Sequence, residues 1–275
     1  MSQSSITVSK TSSGITTITI TRPHRRNAVN PSTARALYSA FIEFEEDASQ
    51  KFAILTGSEG AFCAGADLVD LTAQSKQDPA TLDPLDRDHL QPIQDRNCGP
   101  MGPSRLQVKK PVIAAVAGHA VAGGLELSLL ADMRVVEEDA IFGVYCRRWG
   151  VPLIDGGTVR LQAIVGLGRA LDMILTGRPV SAQEALFMGL ANRVVPKGKA
   201  LEEATKLAES LLRFPNACMN SDRDSCYYAA YNAQNFEDAM RYEYDHGVKV
   251  VQMESIAGAA RFADGRGRHG GFDKL

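Results

Sequence analysis

Pro111-Val-Ile-Ala-Ala-Val-Ala-Gly118-His-Ala-Val-Ala-Gly-Gly-Leu-Glu126 sets the fold class and holds the first candidate for chemistry. Pro111–Ala117 is a short, continuously apolar, β-branched run, which predicts a strand buried on both faces. Gly118 to Gly124 reads as a turn, and Leu125 to Asp132 as a short helix. A strand, a glycine-bearing turn and a helix in this order point to an α/β arrangement.

The same rhythm extends on either side. Ile15–Ile20 alternates apolar and β-branched polar residues as a half-buried strand does, and Arg22-Pro23 stops it. Pro31 and Ser32 open an amphipathic helix from Ala34 to about Ala48, and Phe52–Thr56 is another buried strand, ended by Gly57. Met133–Val136 and Ala140–Val144 read as further strands. Beyond Gly156 the chain reads as helical: Ser181-Ala-Gln-Glu184 is a capping box for Ala182–Met188, and helices follow over Glu202–Leu212, Asp222–Ala233 and Phe236–Met253. These readings predict an α/β core over 1–195 and a helical part over 196–275. The stretch from Thr72 to Lys110 is rich in Asp, Pro, Gln and Gly and reads as a long irregular segment, a type that is usually functional.

Composition narrows the function classes. A formal net charge of −2 over 275 residues argues against a dedicated nucleic-acid binder. No apolar run reaches the roughly 18–20 residues that span a bilayer. The N-terminus lacks the build of a secretory signal, and five scattered cysteines without metal-type spacing suit a reducing compartment. The expectation is a cytoplasmic protein without a metal site, nucleic-acid partner or membrane association.

Two loops follow buried strands and precede short helices: Ala61-Phe-Cys-Ala-Gly-Ala-Asp-Leu68 and Gly118–Glu126. The first N–H groups of a helix lack partners within it and carry the positive end of its dipole. Glycine removes the side chain that would hold a ligand away. Two converging loops of this kind make an oxyanion hole; taken singly, each is an ordinary tight turn. Glu126 is the only charged residue between Lys110 and Asp132, set among leucines. A buried carboxyl has its pKa raised toward the range a general acid/base needs, whereas a first-turn glutamate facing water would only complement the helix dipole.

These segments, with Arg22-Pro-x-x-x-Asn-Ala-Val29, Gly156-Gly-Thr-Val-Arg-Leu161, Ala170–Gly177 and Ala185–Val195, resemble in order and spacing the signatures of the enoyl-CoA hydratase/isomerase (crotonase) family. The resemblance implies a core of repeated β-β-α units, a helical C-terminal trimerisation region, and homotrimers or dimers of trimers. It implies an acyl-CoA substrate, with coenzyme A as part of that substrate and no prosthetic group. Arg25, Arg26, Asn27 and Ala28 would meet the adenine and phosphates, and Ala64, Asp67 and Leu68 would line the pantetheine and adenine path. The N–H groups of Ala66 and Gly123 would hold the thioester oxygen, and Glu126 would be one of two acid/base carboxyls. Gly124, Cys146 and Trp149 would line the pocket.

The second hydratase carboxylate falls on Cys146, by an ungapped reading from Phe142-Gly143 to Gly156-Gly157. A thiol, with a reference pKa of about 8.5, replaces a carboxylic acid poorly. The nearest acidic residue is Asp155, a second catalytic carboxyl or an N-cap of the following helix. Arg147 and Arg148 beside Trp149 read as a cation–π cluster or an anion site. His119 reads as a turn histidine or a proton carrier, Asp132 with Arg134 as an ion pair or cap, and Arg266–Gly271 as a solvated or phosphate-contacting tail. Hydration of a 2-enoyl-CoA is the leading expectation. Isomerisation, hydrolysis or decarboxylation of an acyl-CoA, and non-catalytic acyl-CoA binding, are the alternatives.

Overall fold

The computed structural model describes residues 4–75 and 90–266. Its contacts divide the chain into two compact units, Met1–Lys206 and Leu207–Leu275. In the first, strands β1 (Ile6–Lys10), β2 (Ile15–Ile20), β3 (Phe52–Gly57), β4 (Val112–Val116), β6 (Met133–Glu137) and β9 (Arg193–Val195) form one sheet in the order β1-β2-β3-β4-β6-β9. β1 is antiparallel to β2, and every other pair in this sheet is parallel. A second sheet joins β5 (His119–Val121), β7 (Ile141–Gly143) and β8 (Val180–Ser181) in the order β5-β7-β8.

The two sheets share consecutive segments of chain. β4 belongs to the first sheet and β5, two residues on, to the second; α3 (Gly123–Leu130) follows. β6 and β7 divide in the same way. Cys63, after β3, pairs with Ala120 of β5 as an isolated bridge, so the β3 segment also reaches the second sheet. This is the repeated β-β-α unit. β3 and β4 carry side chains buried on both faces, as their continuous apolar sequences require.

Helix α1 (Pro31–Glu46) begins at Asn30, whose side chain accepts the Thr33 N–H, and it buries Leu37, Phe41 and Phe44 in the core. α2 (Leu68–Ser75) follows the first loop. After a short 3₁₀ turn, Tyr145–Trp149, come α4 (Gly157–Val165), α5 (Leu167–Thr176) and α6 (Ala182–Phe187), the last capped by Ser181 as the capping box predicts. α7 (Ala200–Leu211) carries the chain out of the first unit.

In the second unit α8 (Asn216–Tyr231) and α9 (Phe236–Val250) are joined by stacking of Tyr228 on Tyr242, ring centroids 3.8 Å apart. Asn235 caps α9 by accepting the Asp238 N–H. A π-helical turn, Val251–Ser255, leads into α10 (Ile256–Ala263).

Several local readings change. The turn over Gly118–Gly124 contains strand β5, and β1 is a strand that the sequence reading lacks. β1 is the edge of its sheet and mostly exposed, so its residues carry little apolar signal. Asp132 Oδ2 accepts the Val112 N–H at the start of β4. Arg134 donates to the carbonyls of Leu190, Ser128 and Ala131, closing the C-terminal end of α3. Among the described residues no helix is long and apolar enough to cross a membrane. Of the Arg266–Gly271 tail, all but Arg266 lies outside the described residues.

Candidate active site

The first loop is fixed from both sides. Asn27, fully buried, donates to the carbonyls of Ser58 and Ala61 and accepts the Arg22 N–H. Phe62 and Cys63 donate to Ala117 and His119 carbonyls, and Val121 donates back to Cys63. The loop is thereby zipped along the β4–β5 segment. Gly65 turns the chain at φ +97°, and its carbonyl accepts from Val29, while Asp67 donates to Val29. The N–H of Ala66, between them, donates to no acceptor among the described residues.

The second loop ends in a backbone strain. Ala122 has φ 54° and ψ −126°, a region that an L-residue rarely adopts, and such outliers cluster at functional sites. This aims the start of α3 so that the Gly123 N–H, the first of the helix, is likewise without an acceptor among the described residues. A Cβ built on Gly65 would lie 3.0 Å from the Gly123 nitrogen and 2.9 Å from Ala122 Cβ. The two loops therefore converge, and the two unpaired N–H groups belong to one wall. Gly124 is buried behind it, where a side chain would overlap the Cys63 carbonyl.

Every residue of α3 is buried, Glu126 included, at 3% exposure. It does not face water. Its Oε1 accepts the backbone N–H of Asp155 at 2.9 Å and of Gly157 at 2.8 Å. Burial pushes its pKa up to about 7, and the nearby Asp155 carboxylate adds to the rise, against the lowering by the two N–H groups and Arg160. Gly157 leaves room for this contact, because a Cβ there would lie 2.9 Å from Glu126 Oε1.

Asp155 is also buried, at 3% exposure. Its Oδ1 accepts from the Ser104 hydroxyl and from the Met101 N–H at 3.0 Å, so it anchors the 99–105 segment rather than capping α4. The N-cap of α4 is Gly156, with no side-chain cap. Burial pushes the Asp155 carboxyl up, its hydrogen bonds to Ser104 and Met101 opposing. Arg160 secures the same segment by donating to the carbonyls of Ser104 and Leu106. Met101 in turn packs on Gly123, whose added Cβ would fall 2.6 Å from the Met101 sulfur. Met101 and Ser104 had no sequence signal, and Arg160 none beyond its place in the Gly156–Leu161 segment, since they reach Asp155 and Glu126 only through the fold.

A cavity of about 600 Å³ opens over these groups. Of the residues singled out in the sequence, Ala64, Ala66, Leu68, Gly123, Glu126, Cys146 and Asp155 line it, with Arg26, His119 and Trp149. Trp149 is 72% exposed, and Cys146 is buried. Burial pushes the Cys146 thiol up and the Glu126 charge adds to this, so the thiol keeps its proton near neutral pH. Arg148 stacks on Tyr145, guanidinium to ring centroid 4.1 Å, and both line the cavity. Arg147 donates instead to the Ile174 carbonyl.

Other residues stand behind the wall. Asp67 is buried and paired with Arg22 at 2.9 Å, with Arg25 Nε at 4.0 Å. Arg22 also donates to the Ala28 carbonyl. Asn27, Ala28, Asp67 and Gly124 are thus buried supports of the loops, and Arg25 is exposed beside Asp67. No group of three metal-ligating side chains occurs among the described residues.

Comparison with known proteins identifies the family to which the chain belongs. The family model for enoyl-CoA hydratase/isomerase matches residues 10–266. The chain is 36% identical over 201 residues to enoyl-CoA hydratase EchA19 of Mycobacterium tuberculosis, covering 70% of each protein. It is 33% identical over 255 residues to carnitinyl-CoA dehydratase of Salmonella typhi, covering 90% of this chain and 92% of the other. A crystal structure of enoyl-CoA hydratase from Mycobacterium tuberculosis H37Rv superposes with a TM-score of 0.81 at 30% identity, covering 95% of this chain and 96% of that one. The chain belongs to the enoyl-CoA hydratase/isomerase (crotonase) family.

Proposed function

We propose that this chain adds water to a 2-enoyl-CoA thioester, through an enolate held by the backbone N–H groups of Ala66 and Gly123. The observation that carries the reading is one cavity holding two unpaired N–H donors and a buried carboxyl, Glu126, with its pKa near 7. As the enolate forms, negative charge grows on the thioester oxygen, and fixed donors stabilise that charge more than the neutral ground state. Glu126 is held through Oε1, so Oε2 is the oxygen that takes a proton from water for attack at C3.

Asp155 is the second carboxyl in this scheme. It lines the same cavity, and burial raises its pKa, which makes it a better proton carrier than an ordinary aspartate for the return of a proton to C2. Cys146, at the place where the family pattern has a carboxylate, leaves that position without an effective acid. Arg25 and Arg26 meet the phosphates of coenzyme A, with Ala64 and Leu68 along the pantetheine path. Asn27, Ala28 and Asp67 hold this path in shape from behind. Assembly as a trimer or dimer of trimers through the C-terminal helices, in the cytoplasm, belongs to the same proposal. The names of the two relatives, a hydratase and a dehydratase, describe the two directions of such a reaction.

Cys146 favours one second reading: isomerisation of a 3-enoyl-CoA, which a single carboxylate performs by moving a proton between carbons. Proton NMR in deuterium oxide separates the two. Hydration of crotonyl-CoA yields a 3-hydroxyacyl signal with one deuteron at C2, whereas 3-hexenoyl-CoA converted to the 2-enoyl isomer without hydroxyl product marks an isomerase. Saturable binding without either product would leave only an acyl-CoA binder.

A further inference from the structure

The cavity carries a cationic group that the chemistry above does not use. Arg148 lies in the 3₁₀ turn Tyr145–Trp149 and lines the cavity. Its guanidinium is held over the Tyr145 ring at 4.1 Å, and among the described residues it has no carboxylate partner. The arginines nearby are otherwise engaged: Arg147 is bound to the Ile174 carbonyl and Arg160 to those of Ser104 and Leu106. The cavity's own carboxyls do not neutralise it. Glu126 and Asp155 are buried and bonded to backbone N–H groups.

Stacking on an aromatic ring fixes the plane of a guanidinium while leaving its edge of N–H donors free, the geometry that takes a carboxylate in two parallel hydrogen bonds. Arg26, the other arginine lining the cavity, comes from a different part of the chain, the turn before α1. The cavity is thus bordered by two cations from separate segments, with the N–H pair and Glu126 on its wall. Val151, Pro152 and Ile154, which follow in sequence, add apolar lining to the same cavity. A methyl-terminated chain would satisfy an apolar lining and make no use of the exposed guanidinium, which a carboxylate would pair.

We infer that Arg148 selects acyl-CoA thioesters whose acyl group ends in a carboxylate, against neutral and cationic acyl groups. The inference rests on the acyl-CoA reading above, with the phosphates at Arg26, and adds the class of acyl group.

Equilibrium binding by titration calorimetry tests it without requiring turnover. The probes are saturated thioesters of four to eight carbons in matched sets: ω-carboxyacyl-CoA, straight-chain acyl-CoA, and an acyl-CoA ending in trimethylammonium. At one chain length the carboxylate-terminated probe binds about tenfold more tightly than its methyl counterpart, as one charge-assisted contact at a partly exposed site supplies. The trimethylammonium probe binds more weakly than either. In R148M the ratio between carboxylate and methyl probes falls to near one, and R148K restores part of it. Equal binding of the sets at every length overturns the inference while leaving the acyl-CoA reading intact. A ratio unchanged in R148M also overturns it, because the discrimination then lies elsewhere. Failure of every thioester to bind overturns both readings.

Discussion

The backbone N–H of Asp155 donates to Glu126 Oε1 over 2.9 Å, while the side chain of the same Asp155 accepts from Met101 and Ser104. One residue thus orients the buried carboxyl through its main chain and raises its pKa through its side chain. Its two roles separate in the variant D155N, which keeps the main-chain donor and the Oδ1 acceptor but removes the charge. Without that charge the Glu126 pKa falls below about 7, so the acid limb of the kcat/KM profile moves to lower pH. If Asp155 also returns the proton to C2, kcat drops by about 10²–10⁴-fold. A pH–rate series on D155N reads both; an unmoved limb with unchanged kcat contradicts both roles.

Burial of Glu126 has a cost that depends on pH. Below the unfolded value of 4.5 both states hold the proton and nothing is lost. Between 4.5 and about 7 the unfolded state releases its proton first, so stability falls as pH rises, and above about 7 the loss is constant. The loss is on the order of 3 kcal/mol. E126Q is therefore expected to unfold at higher denaturant than the parent at pH 8, with the difference closing near pH 4. Urea titrations at the two pH values check this. A gap that does not change with pH would show that the carboxyl is not held against ionisation.

Gly65 is the residue through which the two loops meet. G65A places a methyl group 3.0 Å from the Gly123 nitrogen and so disturbs that donor, at a φ of +97° that alanine adopts only under strain. Loss of one oxyanion donor costs about 10²–10³-fold in kcat, and the strain costs about 1–3 kcal/mol of stability. Steady-state kinetics on the folded variant show the former; an unaltered kcat would place the thioester oxygen elsewhere.

Arg22 and Asp67 form a buried pair beneath the first loop, with side-chain exposures of 10% and 3%. R22M leaves Asp67 buried with its main partner gone and is expected to cost about 3 kcal/mol. Adding D67N to R22M recovers part of that loss, because it removes the stranded charge. Denaturation of the two variants measures the difference; equal stability of single and double variants would mean that the pair is not the loop's support.

Much of this site was legible because its signals are local. Glu126 stands alone among leucines, and the glycines of both loops follow apolar runs that can only be buried strands. The resemblance extended these signals to Ala66 and Gly123. What stayed hidden depends on chain separation or on backbone angles. The Asp155 side chain meets Met101 and Ser104 across some fifty residues, so its role as an anchor of that segment, in place of a helix cap, had no sequence trace. The strained Ala122 looks in sequence like any alanine, although its φ of 54° aims the Gly123 N–H. β5 was obscured by the glycines around it, and β1 by its exposed polar edge.

Hydration at Glu126 is tested by following the ultraviolet absorbance of crotonyl-CoA with purified protein and with E126Q. The conjugated thioester band is expected to disappear with the parent protein, and at a rate lower by about 10²–10⁴-fold in E126Q, which retains its fold. A parent protein that leaves the band unchanged, or an E126Q variant that removes it at the parent rate, would contradict hydration at Glu126.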